Sequence, residues 1–302
     1  MSQRTLTAAL LVALAGAPAA PPAADASATA IVVPFSYVHH EPIVSVRIGN
    51  SGPYAFLVDT DTAPSAIDVG VARELHLQST GPCGSGTGEG SGKSVACPVT
   101  IPHLQVGELA VARIDALTID LSALRTAFRG GPIVGILGTS LLNDRVVEID
   151  YPCRTIAFLP DAILEPFTAR FDAASGVTHS SDVWVGSQRV IATFDTGDNG
   201  YSFVTAKGIA DLHLETTARS GAVLEIRGYN GAAQVTKGTL HALRIGRILI
   251  GSVATSFEPS ASDHQTDVNI GNRVLEQFVA TFDYQRGLLT LSPARPRSSC
   301  RR

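Results

Sequence analysis

Two aspartates, Asp59 and Asp195, stand at matching places in two similar stretches of the chain. Asp59 lies in "YAFLVDTDTAPSAIDVGVARELHL" and Asp195 in "IATFDTGDNGYSFVTAKGIADLHL"; each follows an apolar run and precedes a helix-like segment that ends in Leu-His-Leu. Two carboxyl groups held close together cannot both ionise, so they share a proton, and one serves as base while the other serves as acid. Such a pair activates water for hydrolysis with neither a metal nor a covalent intermediate.

The similarity of the two halves extends beyond these stretches. "ILGTSLLNDRVVEIDYPCRTIAFL" is similar to "NIGNRVLEQFVATFDYQRGLLTL", with Gly138 matched to Gly271 and Asp150 matched to Asp283. The matching blocks keep the same order and a nearly constant spacing, which indicates an internal duplication of a unit of about 135 residues. We predict a signal peptide or leader at residues 1–30. An N-terminal lobe would then occupy residues 31–162 and a C-terminal lobe residues 163–302.

Each unit has the pattern of a β-rich fold. Runs such as "PIVSVRIG" and "RTIAFLP" alternate between apolar and polar residues, which is the period of half-buried strands. Only short helices are predicted, one of them after each aspartate. The fold class is therefore all-β, mainly β with a few short helices, and two copies are too few for a propeller or solenoid. Two lobes facing each other across a central cleft is the expected arrangement.

Composition and the N-terminus limit the class of function. The 302 residues are 45% hydrophobic and 17% charged, which allows a sizeable core, and the formal net charge is -4. Because no basic stripe is present, we expect no nucleic-acid partner. Arg4 precedes an apolar run from Leu6 to Ala15, which is shorter than the roughly 20 residues that span a membrane and is typical of a secretory signal. We predict a periplasmic or secreted protein with no membrane association after signal removal.

The four cysteines fit an exported protein, in which disulfides are permitted. Cys83 and Cys97 flank a glycine-rich segment and are placed to staple the base of a hairpin. Cys153 and Cys300 lie near the ends of the two halves and either pair or stay free, because spacing alone does not fix connectivity. No cysteine or histidine spacing indicates a metal site, and we expect no metal and no organic cofactor.

The order of the segments resembles the pepsin and retropepsin class of aspartic proteases, above all its small secreted bacterial members. The shared order is apolar-apolar-Asp-Thr-Gly, helix, glycine-rich hairpin, apolar-apolar-Gly, short helix, Asp-Tyr and closing strand, and it covers about Ile31 to Pro293. Its most specific part is "FDTGDNGYSFV". The segments "ILG" at 136–138 and "NIG" at 269–271 are weak singly but correctly placed in both halves.

The resemblance implies two β-barrel lobes of the acid-protease type and assigns roles to four residues. Asp59 and Asp195 would be the catalytic pair, one from each lobe, facing each other across a pseudo-twofold axis. Thr60 and Thr196 would lock the two loops together through hydrogen bonds at the lobe interface. The cleft between the lobes would then bind an extended polypeptide.

The resemblance also assigns supporting positions. Gly138 and Gly271 would belong to segments that pack beside the catalytic loops, and Gly197 is the glycine of the Asp-Thr-Gly motif. The glycine-rich "CGSGTGEGSGKSVAC" and "RSGAVLEIRGYNGAAQV" fall where this class carries flap hairpins, which close over substrate and exclude water. Tyr229 is a candidate substrate-binding residue of the second hairpin, although an ordinary turn residue is the commoner role for such a position.

The sequence departs from the motif at Asp61, which stands where the first lobe should have glycine. Aspartate adopts the left-handed backbone more readily than most residues and keeps its N–H, so the loop is expected to form. A third carboxyl near a catalytic pair raises the pKa of that pair. The first lobe is therefore predicted to hold an altered site.

The favoured hypothesis is an aspartic endopeptidase-like hydrolase that acts on polypeptides as a monomer, with activity altered by Asp61. The alternative is a catalytically inactive peptide-binding or inhibitor-like module on the same fold. A β-rich carbohydrate enzyme that uses two carboxylates is a third possibility. It is disfavoured because the chain has one Trp and only 6% aromatic residues, too few for sugar-binding platforms.

Overall fold

The structure is a computed structural model that describes residues 29–86, 94–122, 124, 133–160, 166–173, 177–228, 231–258 and 265–300. Most of the predicted leader, the predicted join between residues 162 and 163, and Tyr229 lie outside these residues. The domain boundaries therefore stay a prediction. Within the described residues, no helix combines the length and hydropathy needed to cross a membrane.

Strands dominate the fold, as the alternating sequence pattern predicts. In chain order they are β1 Ile31–Pro34, β2 Ser36–Val38, β3 Glu41–Ile48, β4 Ser51–Val58, β5 Ser65–Asp68, β6 Gly84–Gly86, β7 Ser94–Val106, β8 Leu109–Ile119, β9 Ile133–Leu137, β10 Val146–Asp150, β11 Thr155–Leu159, β12 Ala169–Arg170, β13 His179–Val185, β14 Gln188–Phe194, β15 Ser202–Val204, β16 Val223–Gly228, β17 Gly231–Ile245, β18 Ile248–Phe257, β19 Val268–Ile270, β20 Phe278–Asp283 and β21 Leu288–Pro293.

The described helices are short. They are α1 Val69–Glu74, α2 Thr139–Leu142, α3 Ala206–Asp211, α4 Glu215–Ser220 and α5 Asn272–Leu275, with a 3-10 turn at Arg297–Ser299. Asp68 caps the N-terminus of α1 through its side chain and Thr205 caps that of α3, each satisfying backbone N–H groups that have no partner within the helix. Four of the helices occupy segments that the sequence marks as helical, whereas α4 was not predicted.

Two large sheets have the same strand order. In the first half the order is β2-β3-β4-β9-β5-β8-β7-β6, and in the second half it is β13-β14-β19-β15-β18-β17-β16, with β2 as the additional edge strand. Further pairings of β3 with β7 and of β13 with β17 curl each sheet towards a barrel. The chain thus forms two β-barrel lobes around a central cleft, as the fold-class prediction states.

A third sheet joins the lobes, in the order β1-β11-β10-β20-β21-β12. Its central pairing is antiparallel, between β10 and β20, and aligns Ile149 with Ala280, both buried. Strands from both halves therefore share one hydrogen-bonded layer. This layer fixes the lobes relative to each other, so that loops from the two lobes can meet reproducibly.

One strand arrangement in each lobe determines where the two aspartates lie. In the first lobe β9 is parallel to β4 and antiparallel to β5, and in the second lobe β19 is parallel to β14 and antiparallel to β15. Residues 133–137 of β9 are all buried, in keeping with a strand that is covered on both faces. The loops after β4 and β14 therefore start from the interior of each lobe.

The four cysteines form two disulfides. Cys83 bonds to Cys97 at the base of the β6–β7 hairpin, and Cys153 bonds to Cys300. The second bond links the turn after β10 to the C-terminal 3-10 turn, so it closes a loop of 147 residues. No cysteine is free.

Candidate active site

Asp59 and Asp195 occupy equivalent positions at the ends of β4 and β14. The backbone N–H of Asp59 donates to the carbonyl of Leu137 (3.0 Å), and that of Asp195 donates to the carbonyl of Ile270 (2.9 Å). Each aspartate is thus tied to the end of the neighbouring parallel strand in its own lobe. Both side chains are partly exposed, whereas the residues that precede them are buried.

The two threonines that follow the aspartates bond to each other's loops across the lobe interface. Thr60 Oγ1 donates to the Phe194 carbonyl (2.6 Å) and accepts from the Thr196 N–H (3.1 Å). Thr196 Oγ1 donates to the Val58 carbonyl (2.8 Å) and accepts from the Thr60 N–H (3.1 Å). Both threonines are buried, so these four bonds are shielded from water. The contact expected from the sequence is present, with the two lobes contributing equally.

The threonine contact brings the two carboxyl groups together. The carboxyls of Asp59 and Asp195 lie close enough for each to affect the pKa of the other. A Cβ added at Gly197 would lie 2.6 Å from Cγ of Asp59 and 3.1 Å from Oδ1 of Asp195. Gly197 therefore lies directly against both carboxyls. The glycine of the motif is required here by this close approach.

The oxygens of Asp59 are held by groups of its own loop. The Asp61 N–H donates to Oδ1 (2.7 Å) and the Thr62 hydroxyl donates to Oδ2 (2.6 Å). Two donors to a carboxylate stabilise its charged form. Asp59 is therefore prepared to act as the ionised member of a pair.

The oxygens of Asp195 are held differently. The Gly197 N–H donates to Oδ1 (2.7 Å), as the corresponding N–H does in the first lobe. Oδ2 accepts from the Asn269 side-chain amide (2.9 Å), and the same nitrogen donates to Oδ2 of Asp198 (3.1 Å). Asp198 stands three residues after Asp195, where the first lobe has Thr62.

Four carboxyl groups lie close enough to affect one another's pKa, and withdrawal from solvent raises the pKa of each of them. The pKa of Asp59 is raised by burial, against the lowering effect of its hydrogen bonds to Thr62, Asp61 and Asp195. The pKa of Asp195 is raised well above its usual range by burial and then by the charges of Asp59, Asp61 and Asp198. The pKa values of Asp61 and Asp198 are also raised, mainly by burial. The site is thus prepared to retain protons above the usual pH range of aspartate.

Asp61 fits into the loop without the left-handed backbone that a glycine at this position suggests. Neither Asp61 nor Gly197 has a positive φ, so the expected left-handed backbone is wrong at this position. The N–H of Asp61 still reaches Asp59, as expected. The substitution acts instead through electrostatics, because the carboxyl of Asp61 raises the pKa of Asp195.

Gly138 and Gly271 lie where the backbone of each Asp-Thr loop crosses the neighbouring strand end. A Cβ at Gly138 would meet the carbonyl carbon of Thr62 at 2.9 Å. A Cβ at Gly271 would meet Oδ2 of Asp198 at 2.6 Å. Both glycines therefore permit a close approach to an Asp-Thr loop, and in the second lobe the approaching group is the side chain of Asp198.

Further residues that sequence reasoning missed lie beneath the loops. The Tyr151 hydroxyl donates to Oδ1 of Asn272 (2.7 Å), and Nδ2 of Asn272 donates to the Thr196 carbonyl (2.6 Å). Tyr284 is buried near the first loop, and its hydroxyl has no partner among the described residues. Both tyrosines belong to the repeated Asp-Tyr segments, so the repeat carried a signal for them. For Asn269 the only signal was a polar residue within an apolar strand.

The predicted hairpins are described in part. Strands β6 and β7 pair at the base of the first, and β16 and β17 pair along the second, with Gly228 opposite Gly231. Tyr229 lies outside the described residues, so its assignment as a substrate-binding residue stays a prediction. Among the described residues, no group of three or more His, Cys, Asp or Glu side chains has the geometry to hold a metal ion.

Comparisons with known proteins support an aspartic protease fold. A protein-family model described as aspartyl protease matches residues 44–141, a span that includes Asp59 and ends within α2. The crystal structure of the aspartic proteinase from Irpex lacteus is similar in fold, with a TM-score of 0.53 at 14% identity; the match covers 90% of this chain and 99% of that one. No curated protein matches the sequence.

Proposed function

We propose that the protein is an aspartic-type endopeptidase in which Asp59 and Asp195 activate a water molecule to cleave a peptide bond. The observation that carries the proposal is the approach of these two carboxyls, one from each lobe, to the same glycine, Gly197, at the end of a pair of loops joined by reciprocal threonine bonds. The family match over residues 44–141 and the fold of the Irpex lacteus proteinase support the same class.

The two carboxyls have unequal roles in the resting state. Each carboxyl accepts two hydrogen bonds, but the charges of Asp59, Asp61 and Asp198 favour the protonated form of Asp195. We assign the shared proton to Asp195 on this ground. Asp195 is the acid that polarises the substrate carbonyl, and Asp59 is the base that takes a proton from water.

The chemistry proceeds through a tetrahedral intermediate. The water oxygen bonds to the carbonyl carbon while its proton passes to Asp59 and the proton of Asp195 passes to the carbonyl oxygen. The C–N bond then breaks as Asp59 gives its proton to the leaving nitrogen and Asp195 recovers a proton from a hydroxyl of the intermediate. The pair returns to its starting protonation state.

The substrate and the setting follow from the same features. A cleft between two lobes suits an extended polypeptide, and the protein is proposed to act as a monomer after export to the periplasm or medium. Recovery of the full chain from an exporting host, followed by N-terminal sequencing, tests the leader at residues 1–30. An N-terminus still at Met1 would contradict export through this leader.

A second candidate function is favoured by Asp61. A carboxyl in place of the motif glycine raises the pKa of Asp195 and brings charge next to the pair. An inactive peptide-binding or inhibitor-like module would tolerate such a change. In that case the cleft would bind peptides without cleaving them.

Proteolysis assays separate the two candidates. The exported protein is incubated with casein and with a mixed peptide library between pH 3 and 8, and cleavage sites are identified by mass spectrometry. We expect cleavage that pepstatin inhibits and that falls by at least about 1000-fold in Asp59→Asn and in Asp195→Asn. Asp115→Asn, an exposed acid outside the site, is the matched control. Peptide binding without cleavage supports the module, and cleavage that survives both dyad substitutions eliminates the endopeptidase mechanism.

A further inference from the structure

Oδ2 of each aspartate, the outer oxygen, accepts a hydrogen bond from a different donor in each lobe. In the first lobe the donor is the hydroxyl of Thr62, which reaches Oδ2 of Asp59 at 2.6 Å. The equivalent position in the second lobe holds Asp198, whose carboxyl cannot donate when it is ionised. The amide of Asn269, from strand β19, fills this role instead at 2.9 Å.

Asn269 is an unusual residue for its place in the fold. The registers β14–β19 and β4–β9 make it equivalent to Ile136, which packs in an apolar cluster of the first lobe. Its neighbours Val268 and Ile270 are fully buried, and Asn269 itself is 1% exposed. Burying an amide costs free energy unless its polar atoms are paired. Its Oδ1 has no partner among the described residues, so stability alone does not explain the residue.

Asp198 determines which way this amide points. Oδ1 of Asp198 accepts from the Gly200 N–H (2.7 Å), which anchors the carboxyl, and Oδ2 accepts the second amide bond at 3.1 Å. An amide has two N–H donors on one nitrogen, and both are used here, one for each carboxyl. With two acceptors in fixed places, the Asn269 nitrogen, rather than its oxygen, faces Asp195.

Gly271 makes room for this arrangement. A Cβ at this position would lie 2.6 Å from Oδ2 of Asp198, the atom that accepts from Asn269. In the first lobe, Gly138 makes room for backbone instead, with the carbonyl of Thr62 as its nearest neighbour. The second lobe is thus shaped around the Asp198 side chain.

We propose that Asn269 is a positioning residue of the acid–base pair, holding the outer oxygen of Asp195 at the cleft, and that Asp198 orients Asn269 for this task. This inference rests on the proposed endopeptidase function. Asn269 acts through Asp195 and needs no contact with substrate. Asp198 and Asn269 together replace the single hydroxyl that serves the first lobe.

The first test removes the amide. Asn269→Ile installs the residue of the first lobe, and Asn269→Ala removes the amide without adding bulk. Asp195 becomes a carboxylate when its proton passes to the substrate, and loss of a hydrogen bond to that charged group is expected to lower kcat by about 10- to 100-fold. It also destabilises the Asp195 anion, which faces the carboxyls of Asp59, Asp61 and Asp198 and lies near the Tyr151 hydroxyl. The alkaline limb of the kcat/KM profile should therefore move to higher pH by about one unit.

A matched control separates positioning from a purely structural effect. Thr193 pairs with Asn269 in the sheet, is also buried, and has its hydroxyl near Thr266 rather than near a carboxyl. Thr193→Val should leave both kcat and the alkaline limb unchanged. If Asn269→Ala folds and keeps the wild-type limb, or lowers stability only, the positioning role is overturned.

The second test rebuilds the first lobe's solution in the second lobe. Asp198→Thr combined with Asn269→Ile places a hydroxyl where Thr62 has one and an apolar side chain where Ile136 has one. The double variant should recover at least about tenfold of the kcat lost in Asn269→Ile, since a hydroxyl bond to a carboxylate replaces the lost amide bond. A double variant no better than Asn269→Ile overturns the assignment of Asp198 and Asn269 as a replacement for the hydroxyl.

A third measurement does not depend on cleavage. The carboxyl carbons of ¹³C-labelled aspartates are titrated by NMR, with the Asp195 signal assigned by its loss in Asp195→Asn. Its inflection should move to higher pH in Asn269→Ala and not in Thr193→Val. If wild type cleaves no peptide yet this shift appears, the endopeptidase proposal fails while the contact role of Asn269 stands. If wild type is active and the inflection does not move, the inference fails alone.

Discussion

The two Asp-Thr loops, residues 59–62 and 195–198, begin alike and then differ. Both start with Asp-Thr, and the four bonds between Thr60 and Thr196 are the same in the two directions. The first loop continues with Asp61 and Thr62, whereas the second continues with Gly197 and Asp198. Each loop therefore adds one carboxyl, but at a different position.

This difference separates what the lobes must share from what they may vary. The threonines join the loops through buried backbone carbonyls, so a change in one lobe would leave groups of the other unpaired. The third and fourth positions face the carboxyls, where a hydroxyl and a side-chain amide both donate to an outer oxygen. The two lobes are alike where they bond to each other through the threonines. They differ in the groups that donate to Asp59 and to Asp195.

The largest expected effect concerns the shared part. Thr60→Val and Thr196→Val each remove one hydroxyl and leave two buried partners unpaired, which should lower the free energy of unfolding by about 3 to 5 kcal/mol. Because the bonds are reciprocal, the two losses should agree within about 1 kcal/mol. Urea denaturation measures both, with Thr193→Val, at a buried threonine whose hydroxyl lies against that of Thr266, as the control. A clear inequality between the two variants would show that the contact is not symmetric in solution.

The next effect concerns the third position of the second loop. Gly197→Ala adds a methyl group directly against Asp59, so one carboxyl must shift. A displacement of about 1 Å at a reacting group can reduce the rate about 100-fold, and kcat should fall by this factor. Gly186→Ala serves as a folding control outside the site. Gly186 has open space around it, but its positive φ would strain an alanine. Wild-type kcat in Gly197→Ala would contradict the close approach.

A smaller effect is expected at the third position of the first loop. Asp61→Gly removes a charge that raises the pKa of Asp195, so the upper pKa of the pair falls. The alkaline limb of the kcat/KM profile should therefore move to lower pH, by about one unit. Asp61→Asn keeps the side-chain volume and should shift the limb in the same direction. A limb that stays in place in both variants would remove Asp61 from the electrostatics of the site.

The smallest effect is on stability. The pKa of Asp61 is higher in the folded protein than the value of about 3.9 in an unfolded chain, so folding binds protons. The stabilisation linked to this proton is present below about pH 4 and is lost as the pH rises through the folded pKa. Asp61→Asn should therefore be more stable than wild type by about 1 kcal/mol at pH 7.5 and equal to it at pH 3.5.

Urea denaturation at the two pH values checks this expectation. Asp115→Asn, at an exposed acid, should show no such difference between the two pH values. If Asp61→Asn is no more stable than wild type at pH 7.5, burial does not destabilise the charged form of Asp61.

The fold was largely predictable because the halves repeat. Alternating apolar runs indicate strands directly, and the repeated order of blocks predicts two similar lobes, which the matching sheets confirm. Helix α4 was missed because "ETTARS" carries no apolar stripe. The join of the lobes through β10 and β20 has no local signal, since strand pairing between distant segments depends on the whole topology.

The main residues of the candidate site were predictable, whereas its supporting contacts were not. Asp59, Asp195 and the two threonines follow from the repeated motif, and the structure brings all four together. The sequence marks Asn269 only as part of "NIG", because an amide in a strand acquires its role from the groups that lie opposite it. The left-handed backbone expected at Asp61 was wrong, since the glycine in the matching loop is there for close approach.

The sequence by itself determined the strand-rich lobes, the paired Asp-Thr loops and the extra carboxyls at positions 61 and 198, because these are properties of residue type and spacing. Only the tertiary structure decided that Asn269 bridges Asp195 and Asp198 and that the cysteines pair as Cys83–Cys97 and Cys153–Cys300. The reason is physical: a side chain's donors and acceptors are known from its type, but their partners are known only when strands distant in sequence come within about 3 Å of each other.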